Sequence, residues 1–146
     1  LKMLFENVIV LKNSALKFEK IRAAHQSELA EDYVEMIAEL ISETGEARTV
    51  DLAKCFGVTS STVNAIVRRL QRQDLVETRP YRSIFLTEQG EDLARKAKER
   101  HRIVCDFLVN IGVPKKIAEE DAEGIEHHVS PETLAVFKKV NNASKI

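Results

Sequence analysis

Cysteine is scarce in this 146-residue chain: Cys55 and Cys105 stand fifty positions apart, both in apolar settings. No Cys-x-x-Cys pair exists, which excludes a zinc-ribbon or dithiol redox motif. Both thiols are therefore expected as small core residues in a reducing compartment. Long apolar runs are missing too. No stretch approaches the roughly 20 residues that span a bilayer, and the start lacks a signal-peptide layout, so a cytoplasmic protein without a membrane partner is expected. There is no internal repeat, no low-complexity segment, no phosphate-cradling Gly-rich loop and no Ser-His or Cys-His pairing. Charge of one sign is also absent on average: charged residues make up 31% and the net charge is -1, so only their distribution can point to a partner.

What is present is helical periodicity interrupted by turns. Residues 1–16 have apolar positions without a persuasive period. From about Lys17, Phe18, Ile21, Ala24, Leu29, Tyr33, Met36, Ile37, Leu40 and Ile41 recur near 3.6 residues, with Gly45 as the stop; one helix, or two broken near His25 to Ser27, fits equally. Thr49 is the expected N-cap of a short helix through Phe56, closed by Gly57. Thr59, Ser60 and Ser61 then introduce a second helix with Val63, Ile66, Val67 and Leu70 on its apolar side. Helix, glycine turn, helix is the layout of a helix-turn-helix. The exposed face of its second helix carries Ser60, Ser61, Thr62, Asn64, Arg68, Arg69 and Arg72. Alternation at Leu75 to Glu77, a turn at Arg79 to Ser83 and Ile84-Phe85-Leu86 predict a two-stranded wing, with Arg82 as a phosphate or minor-groove contact.

Local charge agrees with a DNA reader. Between Arg48 and Arg82 seven Lys or Arg face three acids, whereas Leu1 to Ala47 carries five basic against nine acidic residues. A basic patch can contact phosphates although the whole chain is near neutral. The plainer alternative is a winged module that binds protein. Beyond the wing, a helix capped by Thr87 runs to Gly112, Pro114 opens another, and Ser130-Pro131 starts a last one, followed by a frayed tail from Asn141.

The stretch Asp121 to His128 reads Asp-Ala-Glu-Gly-Ile-Glu-His-His. On a helix Glu123, Glu126 and His127 share one face, and two carboxylates with an imidazole and no Lys or Arg between them repel unless a cation sits there. His128 projects about 100° away and falls outside the set. Such a face is more often solvated surface, so further donors are needed. Asp32 and Glu35 supply a second carboxylate pair at helical spacing, and His101 lies within an apolar helical stretch. The six residues Asp32, Glu35, His101, Glu123, Glu126 and His127 give four carboxylates and two imidazoles without sulfur. That set suits Mn(II) better than tetrahedral zinc, with Fe(II) as the second candidate. Carboxylate and histidine pairs on helices also build catalytic dimetal centres, so a helical metalloenzyme is the competing class.

Together, the winged helix-turn-helix, Glu-Asp-Tyr-Val-Glu at 31 to 35, Arg-His at 100 to 101 and Glu-Gly-Ile-Glu-His-His at 123 to 128 resemble the diphtheria-toxin-repressor family. The resemblance covers about Ala24 to Val140. It implies a homodimeric, metal-activated repressor of manganese uptake and homeostasis genes that binds double-stranded operator DNA. It also implies two ions per subunit, held by the six residues above, and a recognition helix over roughly Ser60 to Gln73. The iron-responsive branch places sulfur ligands where Asp32 and Glu123 stand, so these carboxylates favour the manganese branch over an iron-responsive repressor. The implied fold class is mainly α: a winged helix-turn-helix, then an all-α dimerisation and metal-binding domain. The expected divisions are 1–23 for an N-terminal arm, 24–86 for the DNA-binding domain and 87–146 for the helical domain. The SH3-like domain of iron-responsive relatives is not expected within these 146 residues.

Overall fold

A computed structural model describes residues 2–79 and 83–144. The first element is one helix of 43 residues, α1 (Lys2–Thr44), which takes in both the ambiguous start and the segment around His25. From Lys2 to Thr44 the chain has neither Gly nor Pro, so no residue forces a break. Residues 6–23 are exposed, and the second half enters the core through Ala30, Tyr33, Val34 and Ile37.

After α1 come β1 (Ala47–Arg48), α2 (Thr49–Phe56), α3 (Ser60–Arg72), β2 (Val76–Thr78) and β3 (Ser83–Leu86). The N-cap of α2 is Arg48 and makes no side-chain cap bond, so the cap expected at Thr49 is displaced by one residue. Thr49 instead turns its hydroxyl to Asn64 Oδ1 at 3.2 Å. Gly57 closes α2 at φ 64°, a left-handed conformation that a Cβ would strain. Thr59 caps α3 by accepting from the Thr62 N–H at 3.2 Å. The wing is wider than the sequence pattern predicts: β1 adds to β3, making a three-stranded antiparallel sheet in the order β1-β3-β2. Two residues are too short to show any period, which is why this strand is invisible in the pattern.

One core joins these pieces. Tyr33 and Ile37 of α1 pack with Leu52, Val63, Val67, Leu70, Val76 and Ile84, and the Tyr33 ring stacks on Phe56 at 4.3 Å between centroids. Burying aliphatic and aromatic side chains of this size is worth about 1.5–3 kcal/mol each, so α1 is bound into the winged module by its second half.

The helical half contains α4 (Glu88–Asn110), α5 (Lys115–Ile125) and α6 (Pro131–Ala143), with α4 packed against α1, α5 and α6. Thr87 joins the halves: its hydroxyl donates to the Asp74 carbonyl at 2.6 Å and accepts from the Gly90 N–H at 3.1 Å. At Gly90 a Cβ would overlap the Leu75 carbonyl oxygen, so the start of α4 lies tightly on the strand entry. Phe107 stacks on Phe137 at 3.8 Å.

Three expectations are corrected here. Asn141 belongs to no frayed tail: α6 runs to Ala143, and buried Asn141 donates to the Ile103 carbonyl at 3.0 Å and accepts from Asn110 at 2.9 Å. Cys55 is exposed and Cys105 only half-buried, so neither fills the core. Finally, α5 ends at Ile125 with Glu126 as its helical cap, the Glu126 N–H still on the Ala122 carbonyl at 3.0 Å, and His127 and His128 form a turn rather than a continuing helix. No helix among the described residues is long and apolar enough to cross a membrane.

Candidate metal centre and nucleic-acid interface

Asp32 and Glu35 project from α1, His101 from the middle of α4, and Glu123 from the last turn of α5. Glu126 follows directly on α5 with helical backbone, its N–H on the Ala122 carbonyl at 3.0 Å, and it and His127 in the turn beyond carry their side chains toward α1 and α4. The donors meet as two adjoining groups. His101, Glu123 and Glu126 bring ligand atoms within 4.8 Å of one another, and so do Asp32, His127 and Glu28. Glu35 lines the cleft between the groups with Asp32, His101 and Glu123. Glu28 is absent from the six-residue set expected from sequence. Its signal was the spacing Glu28, Asp32, Glu35, one helical stripe of acids at i, i+4 and i+7.

Distances tie the groups together. His101 Nδ1 lies 2.7 Å from Glu126 Oε2 and 3.6 Å from Glu123, while His127 Nε2 lies 3.1 Å from Asp32 Oδ1 and 3.4 Å from Glu126 Oε1. Glu126 is 1% exposed, yet neither of its oxygens makes an aligned hydrogen bond, the 2.7 Å approach of His101 included. A buried carboxylate without donors is costly. Burial, opposed by the His127 charge and reinforced by Glu35, Glu123 and Asp32, pushes its carboxyl up to about 8. Burial also raises Asp32, against the His127 charge, and raises Glu35, helped by the Glu123 charge. For His127, burial acts downward, but the hydrogen bond to Glu31 and the Asp32, Glu126 and Glu31 charges lift it above the ordinary imidazole range. This buried acid without an aligned donor fits a divalent cation, which would add to the single opposing charge of His127 against four carboxylates.

Two further residues escaped the pattern. Glu31 is 5% exposed and sits between His127 Nδ1 at 2.9 Å and Arg100 Nη1 at 3.1 Å. In the sequence both stand only as members of the motifs at 31 to 35 and 100 to 101, without a role of their own. His128 lies on the other side, 3.6 Å from Glu28, outside both donor groups.

On α3, Ser60, Ser61, Thr62, Asn64, Arg68 and Arg72 are exposed and Arg69 half-exposed, while Val63, Val67 and Leu70 are buried. Among the described residues Arg68, Arg69 and Arg72 form no ion pair, so their charges are open to a phosphate backbone. A groove between α3 and the wing is lined by Arg48, Thr49, Ser60, Asn64, Thr78 and Arg79. Arg79 lies over the Phe85 ring at 4.4 Å, which holds a cation at the wing. Arg82 lies outside the described residues.

Comparison with known proteins follows the same division. Residues 25–84 match the family model "Iron dependent repressor, N-terminal DNA binding domain", and residues 87–143 match "Iron dependent repressor, metal binding and dimerisation domain". The chain is 51% identical over 121 residues to the transcriptional regulator MntR of Escherichia coli, covering 83% of this chain and 78% of that protein. The chain belongs to the diphtheria-toxin-repressor family, in its MntR branch. A second member, the HTH-type regulator MntR of Bacillus subtilis, is 38% identical over 68% of this chain and 70% of its own length. A solved manganese-dependent transcriptional repressor in complex with manganese is 30% identical at TM-score 0.69, covering 77% of this chain and 52% of that one. The chain thus spans about half the length of the solved family structures it matches. As a member of this repressor family the protein is a DNA-binding, metal-dependent transcriptional regulator that dimerises, and the metalloenzyme alternative falls.

Proposed function

We propose that this protein is a manganese-dependent transcriptional repressor in which Asp32, Glu35, His101, Glu123, Glu126 and His127 hold Mn(II) and thereby tie its two halves together. The observation that carries the reading is Glu126: a buried, donor-less carboxylate at the meeting of α1, α4 and the turn after α5. When bound, the cation supplies the positive charge that this set of acids lacks. The division of donors into two groups supports two ions per subunit. An all-oxygen and nitrogen set favours Mn(II), with Fe(II) the nearest competitor, because such sites discriminate weakly between the two.

The chain's own residues then do the regulatory work. Without a cation, the acids Asp32, Glu35 and Glu123 crowd the junction of α1 with α4 and α5, and Glu126 stays buried among them only by keeping a proton, so that junction is loosely held. With their charge compensated, Asp32 and Glu35 fix α1, and α1 shares one core with α3. In a dimer this restrains two recognition helices to a spacing that matches successive major grooves, about 34–36 Å or a multiple of it. Metal and operator therefore strengthen each other's binding reciprocally. Arg68, Arg69 and Arg72 contact phosphates with Arg82 of the wing, and Ser60, Ser61, Thr62 and Asn64 face the bases. We take residues 1–23 as an arm, 24–86 as the DNA-binding domain, 87–146 as the dimerisation and metal-binding domain, and the cytoplasm as the site of action.

The test is selection of duplexes from a random pool at fixed ionic strength, with and without Mn(II), followed by mobility shifts on the enriched sequence. Mn(II)-dependent enrichment of an inverted repeat is expected. Equal retention with and without Mn(II) would sink the reading.

A further inference from the structure

Beyond the metal-binding set, a buried charge cluster joins the same three elements. Glu31 extends from α1 into the interior, one residue before Asp32 and so on a different side of the helix. Its Oε2 lies 2.9 Å from His127 Nδ1. Arg100 Nη1 of α4 donates to both of its oxygens, at 3.1 and 3.4 Å, and Ser27 Oγ donates to Oε1 at 3.2 Å. The same Arg100 nitrogen reaches the backbone carbonyl of Glu126 at 3.5 Å.

An ionised carboxylate only accepts, so the 2.9 Å contact places a proton on His127 Nδ1. Once the ring is neutral, an imidazole whose proton is held at one nitrogen presents its lone pair at the other. That other nitrogen, Nε2, is the one facing Asp32 and Glu126. Arg100 prevents Glu31 from swinging away and at the same time anchors the main chain at Glu126. The His127 side chain is 2% exposed, so water does not compete for either nitrogen.

We infer that Glu31, clamped by Arg100, is a positioning residue: it sets the tautomer and ring orientation of His127 so that Nε2 is the metal-binding atom. The inference rests on the proposed Mn(II) reading for its effect on affinity, but the tautomer itself is a property of the metal-free protein.

Three forms of the full chain decide it: wild type, Glu31→Ala and Glu31→Gln. Glutamine keeps an acceptor oxygen opposite Nδ1 but removes the charge. Mn(II) affinity, read by electron paramagnetic resonance of the free ion, is expected to fall roughly 10- to 100-fold in E31A. E31Q is expected to recover most of that loss. Long-range 15N–1H correlation spectra of the metal-free protein at alkaline pH are expected to show His127 as the Nδ1–H tautomer in wild type and E31Q, and a shift toward Nε2–H in E31A. Wild-type affinity in E31A, E31Q as weak as E31A, or an Nε2–H tautomer in wild type would each overturn the inference. Should E31A fail to fold, E31Q alone decides through its affinity and its tautomer. Should wild type bind no Mn(II), the functional reading fails while the spectra still test the role of Glu31.

Discussion

Replacing Glu126 by Gln tests the central electrostatic feature without changing the shape of the side chain. The carboxyl titrates at about 8 in the fold against 4.5 in an open chain, so the native state keeps a proton that the unfolded state loses. A raised value means that its contribution to stability is full below the unfolded value and is lost as pH climbs through the folded one. The whole gap corresponds to about 5 kcal/mol, of which about 3 kcal/mol falls between roughly pH 5.5 and 8.5. Glutamine at 126 carries no such dependence. Urea unfolding in chelator should therefore show E126Q gaining about 3 kcal/mol on the wild type across that window, or roughly 6–12 °C in melting temperature. The comparison cancels most other titrating groups. Mn(II) should then reverse the order, adding about 2.7 kcal/mol to the wild type at a hundredfold excess over its dissociation constant and little to E126Q. A stability difference that stays flat from pH 5.5 to 8.5 would refute the assignment of a buried, unpaired acid.

Three other outcomes follow from the geometry. Alanine at Arg68 and Arg69 should weaken duplex binding for all sequences and flatten the slope of log affinity against log salt by about 1 for each phosphate left unneutralised, with Mn(II) affinity unchanged; a simultaneous collapse of metal binding would contradict the separation of roles. His127→Ala should abolish the Mn(II) dependence of DNA binding while sedimentation still finds a folded dimer, and an unfolded variant would show that the residue is structural. Asn141→Ala strands the Asn110 amide and the Ile103 carbonyl, so a loss of about 1–3 kcal/mol in chemical unfolding is expected, and no loss would mean that water replaces the amide.

Much of this architecture could be read from residues because its signals are local. The helix-turn-helix announces itself by Gly57, Thr59 and the apolar spacing Val63, Val67, Leu70, and each of these acts within one or two turns. The six proposed ligands could be named from sequence because two carboxylate pairs at helical spacing and two histidines together make a donor set for a divalent cation, although each face alone is more often solvated surface. What escaped was set at a distance. The pairing of Ala47–Arg48 with β3 depends on a partner more than thirty positions away. Asn141 has the composition of a tail, and only the carbonyl that α4 presents to it makes it part of the core. Glu31 and Arg100, sixty-nine positions apart, become a clamp only when α1 and α4 cross. The octapeptide was the subtlest case. Its three-and-four spacing made a helix face the natural reading, and this holds as far as Glu126, whose backbone is still helical, whereas His127 lies in the turn beyond α5.

The unbroken helix α1 makes the metal site a fulcrum. From Asp32 back to Lys2 the helix extends about 45 Å, and forward to Thr44 about 18 Å, at 1.5 Å per residue. A rotation of about 5° at the ligands moves the far tip by about 4 Å and the end nearest α2 by less than half of that. A small adjustment in how Asp32 is held is thus magnified toward the exposed N-terminal end and reduced toward the recognition helix. The same metal event would be a fine movement beside the winged module and a coarse one at the exposed start of α1.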